Sequence, residues 1–288
     1  MSIAELYSKK QTVYSFEIFP PKKDGSIDTI YNTLNQLEGL NPDYISVTYG
    51  AGGNPADKTT SNISSIVKEK FKILPLAHLT CVNNSREDIL EVLDQFKEQG
   101  IKNILALRGD FRPDIPPKTD FRYANELVDF IKNQGGFHIS GACYPHGHPE
   151  SESMIDDIHN LRKKVDAGAE HLISQLFFDN SAFYSFVERA RIAGINVPID
   201  AGIMPVTSKK QIERMVSLTA ASLPAKFTKI ISRYEHNPEA LRDAGIAYAV
   251  DQMVDLISNG VQGIHLYTMN NPLVAQRITQ AISSLINA

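Results

Sequence analysis

The chain has 288 residues, 42% of them hydrophobic, enough to bury a full core as one large domain, because barrel folds routinely exceed the usual single-domain length. A formal net charge of −4, with Lys and Arg spread along the chain, excludes nucleic acid as the expected partner. Cys81 and Cys143 form neither a disulfide framework nor a CxxC pair, and there is no leader-like N-terminus and no run of about eighteen apolar residues, so the expectation is a cytoplasmic protein that does not enter a membrane.

Short β-like runs recur along the chain, each followed by a segment of helical period. In order they cover 13–19, 44–48, 74–80, 103–107, 138–142, 171–175, 199–203 and 263–267. Between the third and fourth, Ser85 and Asp88 form a capping pair ahead of an apolar face of Ile89, Val92, Leu93 and Phe96, and Gly100 closes the helix. Residues 113–117 read as an exposed loop. The stretch 206–262 is too long for one crossover and shows two helical patterns, 208–219 and 238–258, separated by Pro224 and 233–237. It reads as a helical insertion before the last strand. A doubly wound open sheet also alternates strands and helices, but the strand count and the missing dinucleotide fingerprint favour a single (β/α)8 TIM barrel over residues 1–288.

In such a barrel each strand alternates between the interior and the helix layer, and functional groups come from the carboxyl ends. Tyr14, Phe16 and Ile18 suit the helix layer, which turns Val13, Ser15 and Glu17 inward. Ile45 and Val47 point outward, Ser46 and Thr48 inward. Leu74, Leu76 and His78 share one face, as Ile104, Ala106 and Arg108 are expected to do on the next strand. Ser140 and Ala142 align with Tyr144, and Ile173 with Gln175. Glu17, Thr48, His78, Arg108, Tyr144 and Gln175 therefore gather at one rim. This pattern marks a site without naming a reaction.

Plainer readings stand beside each of these. Glu17 alone fits a buried ion pair, and His78 fits a hydrogen-bonded core histidine. Cys143, His146 and His148 lie close together but lack a fourth ligand at a familiar spacing, so no metal is expected. Gly50 to Gly53 match no phosphate-loop pattern and read as a tight turn. The Arg108-Gly109-Asp110 triplet is discounted as an adhesion motif, and Phe177, Phe178, Phe183, Tyr184 and Phe186 read as packing.

Longer stretches around the rim residues resemble one family. They are Phe16-Glu17-Ile18-Phe19-Pro20-Pro21, Ser46-Val47-Thr48-Tyr49-Gly50-Ala51, His78-Leu79-Thr80-Cys81, Leu105-Ala106-Leu107-Arg108-Gly109-Asp110, Tyr144-Pro145 with His148-Pro149-Glu150, Lys163 to Ala169, and Gln175-Leu176-Phe177-Phe178-Asp179. Their order and spacing resemble the methylenetetrahydrofolate reductases. The resemblance implies a barrel with non-covalent FAD at its carboxyl rim, reduced by NADH or NADPH and reoxidised by 5,10-methylenetetrahydrofolate, which becomes 5-methyltetrahydrofolate.

Carried over from the family, the flavin contacts fall on Thr48, His78, Arg108, Gly109, Asp110, Tyr123, Ala124, Tyr144, His148, Asp157, Asn160 and Lys164. Arg108 and Lys164 suit cofactor phosphates, while Asp157 and Asn160 share a helix face with Lys164 and suit ribityl and ribose hydroxyls. The folate contacts fall on Asp110, Gln175 and Gln211. Glu17 becomes the general acid, its pKa expected to be raised by Phe16, Phe19 and Pro20, and Asp110 stays ionised to stabilise positive charge on the folate. Two positions depart from the family: Met215 stands where an aromatic residue covers the nicotinamide, and Asn271 is followed by Pro272 where many members have an arginine. No regulatory domain and no feedback by S-adenosylmethionine are expected, and the chain is expected to form a homo-oligomer. A flavoenzyme of the proline dehydrogenase type and a non-catalytic barrel are the competing readings.

Overall fold

The computed structural model describes residues 1–21, 27–49, 58–111, 116–218 and 223–288. Period-two alternation resolves into eight parallel strands: β1 (Val13–Ile18), β2 (Tyr44–Val47), β3 (Leu74–Thr80), β4 (Asn103–Leu107), β5 (His138–Cys143), β6 (His171–Ser174), β7 (Ile199–Ile203) and β8 (Gly263–Tyr267). They pair in sequence order, and β8 returns to β1 to close a barrel. The expected (β/α)8 fold is the observed one, with strand ends within one residue of those read from the sequence.

Outward side chains meet the helices. Tyr14, Phe16 and Ile18 join a cluster with Ile30, Leu34 and Leu37 of α1 (Ile27–Glu38) and with Ile278 and Ile282 of α10 (Pro272–Ile286). A second cluster joins Ala77 and Leu79 to α3 (Arg86–Glu98) and α4 (Ala124–Gln134), with α2 (Thr59–Glu69) beside β3. The capping box of α3 forms as expected: Ser85 Oγ accepts from the Asp88 N–H, and the Asp88 carboxylate accepts from the Ser85 N–H.

Strand β4 corrects one facing. Leu76, His78 and Thr80 lie level with Asn103, Leu105 and Leu107, so these enter the barrel, whereas Ile104 and Ala106 join the helix-layer cluster. Both faces of β4 are apolar, so alternation alone had nothing to distinguish them.

The lower interior is filled by Val13, Tyr44, Leu76, Leu105 and Ile173, closed from below by Ile3 and Leu6 of an N-terminal 3-10 segment. Tyr7 of that segment donates from its hydroxyl to Asp200, as does Tyr44 at 2.6 Å, and His171 Nε2 lies 3.4 Å away. Burial would raise the Asp200 carboxyl, but His171 and the two hydroxyls outweigh it and hold the pKa below the usual aspartate range. A buried charge is thus fully surrounded by donors, the arrangement that makes its burial tolerable.

Between β7 and β8 lie three helices, α7 (Lys209–Leu218), α8 (Ala225–Tyr234) and α9 (Pro238–Ser258); α5 (Met154–Asp166) and α6 (Asn180–Ile192) precede β6 and β7. Helix α8 is not anticipated by the sequence reading, which treats Pro224 as a separator. Pro224 is instead its N-cap, a place where proline costs no backbone bond, and Phe227 inserts against Phe178 and Tyr248. Gly245 of α9 sits against the Val206 carbonyl, where a Cβ would fall 1.7 Å from the oxygen. The turn at Gly50 to Gly53 and residues 113–115 of the expected loop lie outside the described residues. Among the described residues no helix is long and apolar enough to cross a membrane.

Candidate active site

Two connected cavities open at the carboxyl rim. The first, of about 660 Å³, is lined by Glu17, Thr48, His78, Arg108, Gly109, Asp110, Tyr144, His148 and Gln175, together with Met204, Met215 and Tyr267. The second, of about 430 Å³, is lined by Tyr123, Ala124, Glu150, Asp157, Asn160 and Lys164, and shares Arg108, Tyr144 and His148 with the first. Residues from six strands thereby border one continuous groove. Gln211 does not line it: its Oε1 accepts from the Thr207 N–H at 3.0 Å and its Nε2 donates to the Pro205 carbonyl at 3.2 Å, bracing the start of α7.

Glu17 is the last inward residue of β1, level with Ser46 and Tyr267. Its Oε2 lies 3.6 Å from His78 Nε2 and 3.9 Å from His265 Nε2. Both imidazoles approach the same oxygen, and Glu17 lines the first cavity. Phe16 turns into the helix layer, so Glu17's immediate neighbours are imidazoles rather than that ring; the expected contribution of Phe16 to its setting is corrected accordingly. Burial pushes the His78 pKa down to about 4, only partly opposed by Glu17, so at neutral pH the contact is not an ion pair. The buried Nε2 of His78 has no hydrogen-bond partner among the described residues.

The backbone following Glu17 is held from the end of β8. Thr268 Oγ1 donates to the Glu17 carbonyl at 2.6 Å, and the Asn270 side chain accepts from the Phe19 N–H and donates to the Phe19 carbonyl. His265 is fixed by Ser15 at 2.8 Å and Ser46 at 3.2 Å, and stacks on Tyr44 with ring centroids 5.8 Å apart.

Where the cavities join, Arg108 donates bidentately to Glu150, which also raises the guanidinium pKa further. Gly109, at φ +85, lets the chain turn against Thr80 and Val82, whose side chains a Cβ would meet at 3.0–3.2 Å. In the second cavity Lys164 is half-buried; desolvation lowers its pKa against the pull of Cys143 and Asp157, and Nζ donates to the Ala142 carbonyl at 2.6 Å. Asp157 accepts from Ser151 Oγ at 3.1 Å. Tyr144 and His148 meet edge to face at 4.7 Å, and burial lowers the His148 pKa. Cys143 packs with Ile158 and Leu161 in the outer core and also borders the second cavity, which His148 lines as well. Among the described residues no group of three or more His, Cys, Asp or Glu side chains could hold a metal ion.

Compared with known proteins, residues 2–283 match the family model described as methylenetetrahydrofolate reductase. The chain belongs to that family. The 5,10-methylenetetrahydrofolate reductase of Pectobacterium carotovorum subsp. carotovorum is 37% identical over 98% of this chain and 93% of its own, and the Escherichia coli (strain K12) enzyme of the same name is 35% identical with the same coverage. Methylenetetrahydrofolate reductase (NADH) 1 of Arabidopsis thaliana is 35% identical over 93% of this chain, which spans 48% of the plant protein. In structure the chain is similar to an uncharacterised protein from Clostridium thermocellum described as binding two copies of 5-methyl-5,6,7,8-tetrahydrofolic acid, with a TM-score of 0.66, 98% coverage of each chain and 14% identity, a likeness of fold.

Family membership makes this protein an oxidoreductase of tetrahydrofolate one-carbon metabolism, and neither competing reading is favoured. Several residues that shape the candidate site escape the motif-based reading: His265, Thr268 and Asn270, which surround and hold the Glu17 segment. Alternation counted back two positions from Tyr267 reaches His265. For the two turn residues no local pattern signals the contact, because each is about 250 positions from its partner in sequence. Asn271, at the departure from the family, caps α10 by accepting from the Val274 N–H. Met215, the other departure, does line the first cavity.

Proposed function

We propose that the enzyme reduces 5,10-methylenetetrahydrofolate to 5-methyltetrahydrofolate with FAD held non-covalently in the two-part groove, NADH or NADPH as reductant, and Glu17 as general acid. The reading takes residues 1–288 as one catalytic barrel working in the cytoplasm as a homo-oligomer. The observation that carries it is the convergence of Glu17, Asp110 and Gln175, far apart in sequence, on one cavity of about 660 Å³. Family membership and the folate described in the Clostridium thermocellum barrel support the substrate class.

The groove fits a flavin dinucleotide on its own chemistry. It has two parts with a shared lining, it carries Arg108 and Lys164 as cations for phosphates, and Asp157 and Asn160 supply partners for hydroxyls. The buried, unpartnered Nε2 of His78 lies on the first cavity, a polar atom in want of a ligand atom. FAD, when bound, would supply the hydride carriage between nicotinamide and folate. Glu17, which lines the first cavity, donates the proton that opens the methylene bridge of the folate. Asp110 lines the same cavity and stabilises the positive charge that then develops on the folate. Gln175, and Gln211 after release from its bracing contacts, are assigned to the folate.

The purified protein should be yellow or take up added FAD, be bleached anaerobically by NADH or NADPH, and recover its colour on addition of methylenetetrahydrofolate. A colourless protein that binds no FAD overturns the reading.

A further inference from the structure

The joint between the two cavities is held by a pair of unequal members. Arg108 borders both cavities and its side chain is 16% exposed; Glu150 borders the second alone and is 54% exposed. Each carboxylate oxygen of Glu150 accepts from a different terminal nitrogen of Arg108, the second contact at 2.7 Å, while Nε donates to the Gly109 carbonyl at 3.3 Å. Phe111 lies under the guanidinium at 4.7 Å and limits where it can go. Arg108 is therefore fixed on several sides, whereas Glu150 is anchored by its backbone N–H on His148 Nδ1 and its side chain can swing into water.

The fork-to-fork geometry that arginine offers a carboxylate is the one it offers a phosphate. A ligand long enough to fill both cavities and charged in its middle must bring that charge to the joint, where a carboxylate already holds the fork. A like charge left in place beside it is repulsive.

We propose that Glu150 is a built-in competitor for the diphosphate of the bound flavin, holding Arg108 in register while the groove is empty and swinging out when the dinucleotide enters. This rests on the flavin reading above. It makes the residue an affinity and specificity determinant: a flavin without phosphates cannot displace it, and one with them does so at a cost that the variant Glu150→Gln removes. Glutamine keeps the size of the side chain and removes its charge.

The test loads full-length wild-type protein and Glu150→Gln with FAD or with riboflavin and follows release on dilution by the recovery of flavin fluorescence, at low and at high salt. FAD should bind about fivefold more tightly to Glu150→Gln at low salt, the size of one close like-charge contact in a watery setting, with a smaller gain at high salt. Riboflavin binding should change by less than about twofold, since a neutral ligand has no like-charge contact with Glu150 to lose. Unchanged or weaker FAD binding to Glu150→Gln, or an equal gain for riboflavin, overturns the competitor. Wild-type protein that retains no FAD overturns the flavin reading itself, and the competitor with it, so the two failures are told apart.

Discussion

His78 shows how one side chain's setting fixes its chemistry. It is 5% exposed, its Nε2 faces Glu17, and burial holds its pKa at about 4 against an ordinary 6.5. The native chain thus refuses a proton that the unfolded chain accepts below about pH 6.5. Stability from this residue is present above that pH and is lost as the pH falls toward 4, by roughly 3 kcal/mol over the window. Urea midpoints measured between pH 7 and 4.5, at constant flavin occupancy, should fall more steeply for wild type than for His78→Gln; parallel slopes would show that His78 titrates normally. Neutrality also means that the imidazole meets Glu17 as a dipole rather than as a cation.

Among the elements, the helical insertion depends on contact closer than side chains permit. Helix α9 runs against the segment after β7, and Gly245 is the point at which its backbone meets the Val206 carbonyl. Gly245→Ala places a methyl where no atom fits, so α9 or residue 206 must move, at a cost of about 1–3 kcal/mol or more. Because Met204 and Met215 line the first cavity, the same change should loosen substrate binding. Gly39→Ala is the control, since nothing lies within 4 Å of its added methyl, and it should alter stability by less than about 0.5 kcal/mol. Chemical denaturation of both variants decides the matter: equal stabilities would mean that α9 tolerates displacement.

Across the molecule, what could be read from the chain and what could not divide along physical lines. The eight strands were legible because each is a short β-like run followed by a segment of helical period, and α3 because its cap is encoded within four residues. The rim was legible because Glu17, Thr48, His78, Arg108, Tyr144 and Gln175 all fall at or just past a strand's carboxyl end, where a barrel gathers them on one side. Facing failed on β4, where Ile104 and Leu105 are equally apolar and only the pairing of His78 with Leu105 sets the register. Helix α8 was lost because proline both ends and begins helices, and the sequence alone does not say which. Contacts made through the fold, such as Thr268 and Asn270 on the Glu17 segment, Tyr7 on Asp200 and Glu150 on Arg108, leave no local trace. The buried floor of Asp200, His171, Tyr7 and Tyr44 has the same origin: its members come from four places in the chain, and each alone looks unremarkable.

In the proposed function Glu17, on the first cavity, is the acid that serves the folate half-reaction. Rapid-mixing spectroscopy of the two half-reactions in Glu17→Gln tests this most directly. Bleaching of the flavin by NADH or NADPH should proceed within about twofold of the wild-type rate, while recolouring by methylenetetrahydrofolate should slow by about a hundredfold or more, the range for loss of a general acid. Recolouring at the wild-type rate would contradict the assignment of Glu17 and, with it, the account of how this site works.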